Sequence, residues 1–310
     1  MEHKSFVGLI ACTFALIGAG CVSLTDKSAG KASKLPPSES VQVVQVVPEV
    51  VHTGGLAFDD EGVLYFANYL HSGTIGQYAV DESESPTTFI DLNEWMISSD
   101  DRFPSVLGLA MDVQGRLIGA DAGTGKVIRV SPDATKVEVL ADSYEGMLFG
   151  SVCDVALSPE GIVYASSPDE GVIYQIHPDE GKVDIVNREL VRADGLAISP
   201  DGTRLVVTEP DAARLLVYTL DDESSDNYPV ATLDFSDSGE SPHGLAFDEF
   251  GRLYVAMGES GSVNVFDLAD TRLLRTYDAG GSANRLFLRE GFLWVSGGQS
   301  EGLRKIRLNP

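Results

Sequence analysis

Basic residues are scarce: 22 lysines and arginines stand against 47 aspartates and glutamates in 310 residues, a formal charge of −25. A chain this acidic repels phosphate backbones, which excludes nucleic acid as a partner, because such binding depends on Lys and Arg neutralising phosphates. Cysteine is scarce too. Three in the whole chain exclude a small disulfide scaffold. Helical periodicity is missing, since beyond Val41 no stretch longer than about ten residues repeats its apolar positions at helical spacing. Hydrophobic residues nevertheless make up 43% of the chain and its 32 glycines follow no fixed period, so disorder and collagen are excluded and one or two globular domains remain.

One long apolar run is present, Phe6 to Gly20, behind the short polar start Met1 to Ser5. It reads as the hydrophobic part of an export signal. Gly18-Ala19-Gly20 then precedes Cys21, and small residues in the last two places before a cysteine resemble a bacterial lipobox, although Gly18 stands where Leu is usual. The expectation is a signal peptide over 1–20, an acylated Cys21 opening a flexible tether over 21–40, and a folded domain over 41–310. The tether, "SLTDKSAGKASKLPPSES" from Ser23 to Ser40, is polar and without apolar periodicity. Export then places the protein at the bacterial cell envelope, touching the membrane only through its N-terminal lipid. An uncleaved anchor is the alternative, with a run slightly short of the roughly 20 residues a span needs, and plain secretion is another. With Cys12 removed and Cys21 acylated, Cys153 stands alone and no intrachain disulfide forms.

From Val41 onward the sequence repeats itself. Six segments share a template of a small or polar residue, a short apolar strand, an acidic or glycine turn and a second apolar strand: "GGLAFDDEGVLYFAN" at Gly54, "LGLAMDVQGRLIGAD" at Leu107, "CDVALSPEGIVYASS" at Cys153, "DGLAISPDGTRLVVTE" at Asp194, "HGLAFDEFGRLYVAMG" at His243 and "NRLFLREGFLWVSG" at Asn284. Their starts lie 53, 46, 41, 49 and 41 residues apart. A period near 45 suits a blade of four antiparallel strands, and six blades predict an all-β, six-bladed β-propeller. The segment "VQVVQVV", Val41 to Val47, is predicted to supply the outer strand that closes the ring with the last blade. A solenoid or a sandwich is the alternative.

In a propeller the residues that open each first strand and close each second strand converge on one mouth of the central channel. The first set is Gly54, Leu107, Cys153 with Asp154, Asp194, His243 and Asn284; the second includes Asn68 with Tyr69 and His71, Asp121, Ser166, Glu209, Glu259 and Gln299. Crowded carboxylates repel one another unless a cation neutralises them, so the set predicts a divalent metal held by Asp194, Asp154 and His243. Asp194 and His243 are the expected catalytic pair, and Asn284, Cys153 and Glu209 the expected substrate contacts. The acidic turns at the other end of each blade read as structural. So acidic a chain would also bring several carboxylates to any mouth by chance, and a solvated loop is the plainer reading of Glu209, Glu259, Asp121 and Asn68.

"ADGLAISPDGTRLVVTE" (Ala193 to Glu209) and "PHGLAFDEFGRLYVAMGESGSVNVFD" (Pro242 to Asp267) resemble the senescence-marker-protein, gluconolactonase and luciferin-regenerating-enzyme family, relatives of strictosidine synthases and paraoxonases. The resemblance, over roughly Val51 to Leu308, implies a six-bladed propeller and a lactone hydrolase with one divalent cation, often calcium. Carried over, the family's first-blade Glu falls on Gly54, its third-blade Asn on Cys153, its fourth-blade Asn on Asp194 and its fifth-blade Asp on His243. None is identical. A His in the set shifts the expected metal from calcium towards a zinc-like ion, or makes His243 a base in its own right. A monomer acting on a small molecule is expected, either as a lactone or ester hydrolase or as a non-catalytic envelope propeller that binds a ligand. The sequence "PHG" at His243 also resembles streptogramin-lyase-like propellers, which have seven blades.

Overall fold

The first strand of each repeat is apolar at nearly every position, as a strand needs when sheets cover it on both sides. In the computed structural model, which describes residues 34–47, 54–80, 85–96, 102–220, 228–298 and 301–308, these strands line a central channel. They are Leu56–Phe58, Val106–Met111, Asp154–Leu157, Leu196–Ile198, Leu245–Phe247 and Arg285–Arg289. Each begins a four-stranded antiparallel sheet, so the predicted six blades are present. The described residues contain no α-helix, only 3-10 turns at Ser38–Ser40, Leu92–Glu94 and Pro210–Ala212.

The sixth blade takes three strands from the end of the chain and its outermost from the beginning. Val43–Val47 runs antiparallel to Leu303–Arg307, with Val43 opposite Ile306 and Val47 opposite Leu303. Packing follows the radial plan. Apolar clusters fill the wedges between neighbouring blades; Val155, Val163, Ile118 and Phe149 lie between blades 2 and 3, and Phe58, Phe66, Trp294 and Leu303 between blades 6 and 1.

The acidic turns are structural, as expected. Asp112 Oδ1 accepts the amide of Arg116 at 2.9 Å while its Oδ2 pairs with Arg116 Nε at 2.6 Å, and Asp248 repeats the arrangement with Arg252. The predicted export signal, Cys21 and most of the tether lie outside the described residues. The far end of the predicted tether is docked: Leu35 packs against the cluster between blades 5 and 6, the Tyr277 hydroxyl donates to Pro36 O at 3.0 Å, and Ser38 Oγ donates to Thr276 O at 2.6 Å. Among the described residues, contacts with the propeller therefore extend back to Leu35, ahead of Val41.

The inner strands approach so closely that four of the six carry glycine at the same position, namely Gly55, Gly108, Gly195 and Gly244. A Cβ on Gly195 would lie 2.2 Å from His243 O, and one on Gly244 2.4 Å from Asn284 O. Backbone atoms cannot yield as side chains do. Gly195→Ala should therefore lower stability by about 1–3 kcal/mol, read as a fall in the denaturation midpoint against a Gly150→Ala control, where a Cβ meets only ordinary contacts.

Candidate functional site

The residues that open the inner strands are held in one register by a repeated backbone bond. The amides of Cys153, Asp194, His243 and Asn284 donate to Ser166 O, Thr208 O, Ala256 O and Ser296 O at 2.9, 3.0, 2.8 and 2.8 Å. Sequence alone identified this set. The structure brings Cys153, Asp194 and His243, from blades 3, 4 and 5, into direct contact.

Asp194 is the hub. Its Oδ2 is 2.8 Å from His243 Nδ1, and its Oδ1 accepts from Cys153 Sγ at 2.9 Å and from Arg285 Nη2 at 2.9 Å. Arg285 comes from the inner strand of blade 6. The same Nη2 lies 3.2 Å from Cys153 Sγ, and Nη1 donates to Asn284 O at 3.1 Å. Asp154 stands one residue deeper than Cys153, with Oδ1 accepting the Val155 amide and Oδ2 the Leu196 amide, both at 3.0 Å. Cys153, Asp154, Asp194 and Arg285 are buried, whereas the His243 side chain keeps 31% of its surface open to solvent.

Burial and charge set the protonation states. Burial opposes ionisation of Asp194, but the Arg285 charge and hydrogen bonds from His243, Cys153 and Arg285 outweigh it and hold the carboxyl well below its ordinary range. Burial, then the Asp194 charge, pushes the Cys153 thiol well up, so it is a neutral S–H donor. Burial also dominates at Asp154, and although Arg285 opposes it, the carboxyl rises to about 6. Burial disfavours a charged Arg285, but the Asp194 and Asp154 charges and the hydrogen bond to Asp194 reverse the balance and keep it protonated.

Asp154 and Arg285 also line the channel below the mouth. A cavity of about 220 Å³ lies there, walled by Leu109, Val155, Leu196, Leu245 and Phe287. A larger hollow of about 440 Å³ lies among the turns of blades 2 to 4 at the opposite end. Its arginines, Arg116 and Arg129, are paired to Asp112 and Glu138, so it presents scaffold rather than convergent reactive groups.

The second set of predicted mouth residues is mostly structural. Glu209, expected to meet substrate, is fully buried, its Oε1 accepting the Val191 amide at 2.6 Å and its Oε2 paired with Arg214. One oxygen is spent on the loop before blade 4 and the other on the third strand of that blade, so neither is left for the substrate contact expected of Glu209. Asp121 caps Ser105 N at 2.7 Å and bonds Thr124 Oγ1, while Asn68 Nδ2 donates to Val106 O at 2.7 Å. Glu259 is exposed on a turn. Ser166 Oγ supports the hub by donating to the Asp194 carbonyl at 2.6 Å. Asn284 stands at the mouth half-exposed, its carbonyl holding Arg285.

Arg285 itself was missed by the sequence reading, yet a signal existed. It occupies the position where four blades have glycine, and the other exception is Asp154. The two non-glycine inner positions, on blades 3 and 6 of a six-bladed ring, carry opposite charges.

Residues 135–285, which include most of this constellation, match the SMP-30/Gluconolactonase/LRE-like region. The chain is similar to that family over just under half of its length. A gluconolactonase of Zymomonas mobilis is 30% identical over 180 residues, which are 50% of this chain and 50% of that protein, so the match spans about half the relative's length. The lactonase drp35 of Staphylococcus haemolyticus is 27% identical over 271 residues, 79% of this chain and 77% of that protein. Among solved structures, a gluconolactonase from Xanthomonas campestris superposes with a TM-score of 0.73 at 19% identity, covering 89% of this chain and 94% of that one.

This gluconolactonase-like mouth does not suit the divalent ion that the resemblance implies. Both Asp194 oxygens and both Asp154 oxygens already accept hydrogen bonds, and Cys153 is a neutral donor. Gly54, where the family carries a Glu, has Ala67 Cβ and Val106 O 3.0 and 3.1 Å from where a Cβ would stand. Among the described residues, no group of three or more His, Cys, Asp or Glu side chains has a metal-binding arrangement.

A buried acid with a raised pKa fixes a sign. The folded state keeps the Asp154 proton at pH values where the unfolded chain, with an ordinary pKa of 3.8, has lost it, so ionisation of Asp154 destabilises the fold as pH rises from about 4 to about 6. Asp154→Asn should gain stability relative to wild type across that window, by roughly 3 kcal/mol in total, and stay level above it. Parallel denaturant titrations at several pH values read this directly; a gap independent of pH would refute it. Asp194→Asn should instead cost about 3–5 kcal/mol at neutral pH, because it strands a buried guanidinium, and Asp194→Asn with Arg285→Met should recover part of that loss.

Proposed function

We propose that the channel mouth hydrolyses a lactone or a similar small ester, with His243 as general base. The observation that carries this reading is the 2.8 Å contact between His243 Nδ1 and the ionised Asp194 carboxylate. An ionised carboxylate cannot donate, so Nδ1 holds the proton, and the lone pair of the neutral ring is on Nε2. The ring is partly open to solvent, which gives Nε2 access to water. A carboxylate that orients a histidine and steadies the imidazolium formed on proton uptake is a recurring device for activating a nucleophile.

In the proposed step, His243 Nε2 takes a proton from water while the oxygen attacks the lactone carbonyl carbon. Collapse of the tetrahedral intermediate breaks the ring C–O bond, and His243 returns the proton to the leaving alkoxide, giving the hydroxy acid. Asp194 remains ionised throughout. Cys153 acts as a neutral donor to Asp194 and not as a nucleophile, and Asn284 is the expected polar contact for substrate. The named activities of the Zymomonas and Staphylococcus relatives support a lactone as substrate class.

Wild type and His243→Gln should be compared on a panel of sugar and aliphatic lactones by acid release at constant pH. The variant should lose about 10²- to 10⁴-fold in kcat with little change in KM or in denaturation midpoint. Turnover undiminished in the variant would remove His243 from the role, and a wild type inert on the whole panel would leave a ligand-binding propeller.

Export and lipid anchoring belong to the same proposal and are supported by the sequence alone, by Phe6 to Gly20 followed by Cys21. Radioactive fatty acid should label the expressed full chain and fail to label Cys21→Ala. Label retained in the variant would rule out acylation at that residue.

A further inference from the structure

We infer that Arg285 is a built-in cation: its guanidinium neutralises Asp194 from within the channel, occupies the space between blades 3, 4 and 6 that a divalent ion would need, and makes the mouth independent of metal. Metal-free turnover presupposes the hydrolase reading above, whereas neutralisation of Asp194 without metal does not.

Geometry is the first ground. Arg285 springs from an inner-strand position at which Gly55, Gly108, Gly195 and Gly244 leave no side chain, so the only large group entering the ring from blades 4 to 6 at that level is the guanidinium. Its Nη2 lies within 2.9 Å of Asp194 Oδ1 and 3.2 Å of Cys153 Sγ, and Nη1 is tied to the Asn284 carbonyl at 3.1 Å. Arg285 is 9% exposed. A side chain so buried and held at two nitrogens is fixed, and a planar fork loses little further freedom in making each bond.

Charge is the second ground. A hard divalent ion such as calcium draws on six to eight oxygens, and a zinc-like ion on about four nitrogen, sulfur or oxygen donors with the thiol deprotonated. Asp194 Oδ1 faces a resident positive charge, its Oδ2 faces His243, and the Cys153 thiol points its proton at the same carboxylate. A second cation would have to sit against the guanidinium and displace these donors. Asp154 sits in the same layer opposite Arg285, whose single positive charge offsets the ionised Asp194 and leaves Asp154 as the layer's residual acid.

Arg285 does not reach the His243 imidazole; it acts through Asp194, and is therefore a positioning residue. It holds the carboxylate ionised and in place, so that the second oxygen is free to orient the imidazole. A metal in that place would do the same by coordination, and would also offer a Lewis-acid site to substrate. The guanidinium, covered by Asp194 and Cys153, offers none. Carbonyl polarisation must then come from neutral donors at the mouth.

Isothermal titration of the purified protein with calcium, manganese and zinc ions separates the possibilities. Wild type should show no one-to-one binding at millimolar ion, and its metal content by mass spectrometry should be substoichiometric. Arg285→Ala vacates the space and leaves Asp194, Asp154, Cys153 and His243 around it; at least one ion should then bind one-to-one, roughly tenfold or more tighter than to wild type. Arg285→Lys keeps a cation and should refuse metal as wild type does. One-to-one binding to wild type that is lost in Asp194→Asn would overturn the inference without any arginine variant. So would an Arg285→Ala protein that keeps its fold by circular dichroism and gains no affinity. If Arg285→Ala does not fold, tight metal binding by Arg285→Lys would count against it. Lactone turnover, measured in parallel, should be unchanged by chelator; a wild type without turnover would end the hydrolase reading while the titrations still decide the cation.

Discussion

Six strands converge on one axis, and at the mouth the ring they form has no room for six side chains. The rest of the site follows from that crowding. Four inner strands answer it with glycine, because a Cβ at Gly195 or Gly244 would meet the backbone of the next blade. The two remaining strands fill the vacated centre with Asp154 and Arg285, one from each side. An arginine that enters from blade 6 then finds the carboxylate of blade 4 and the thiol of blade 3 within hydrogen-bond reach. Steric exclusion at four positions thus creates the low-dielectric space in which a single guanidinium holds Asp194 ionised while burial keeps the Cys153 thiol neutral. Buried ion pairs are weak evidence for stability, since the loss of hydration offsets much of the attraction. Here the pair is better understood as fixing which way Asp194 faces.

Much of this was legible in the chain before any coordinates. The repeat of about 45 residues fixed the number of blades, and "VQVVQVV" ahead of the first unit marked the closing strand, because a lone alternating apolar segment has no other sheet to join. The phase of the repeat also selected Cys153, Asp194, His243 and Asn284, since residues at one phase of a propeller share one height along the axis. Phase gives height, however, and not radial direction. Glu209, Asp121 and Asn68 close second strands at the same end, yet their side chains are spent on backbone groups, the first two accepting the Val191 and Ser105 amides and Asn68 donating to the Val106 carbonyl. Nothing in the identity of a Glu distinguishes a loop cap from a substrate contact. Arg285 escaped notice for a different reason: attention to carboxylates called for a cation from solution, and a cation already in the sequence, at a glycine position, was read past.

The chain's −25 charge and the mouth's charge state are separate matters. Net charge describes the surface, where carboxylates are hydrated and screened over about 8–10 Å at ordinary salt. At the hub, one arginine offsets one ionised aspartate, and burial holds the proton on a second up to about pH 6. An overall acidic composition therefore gave no measure of the local field. Where a residue's protons go was decided within a few ångströms, by burial and by a handful of named partners.

Ring closure carries a consequence in time. Val43 pairs with Ile306, so the last blade cannot be completed until the final strand, Leu303–Arg307, has been made. Blades 1 to 5 can form as local hairpins in turn, but the wedge between blades 6 and 1 stays open, with Phe58, Phe66 and Trp294 unburied, until the two ends of the domain meet. Until Leu303–Arg307 is made the polypeptide is an unlocked string of sheets, and it becomes a ring only when that strand meets Val43–Val47.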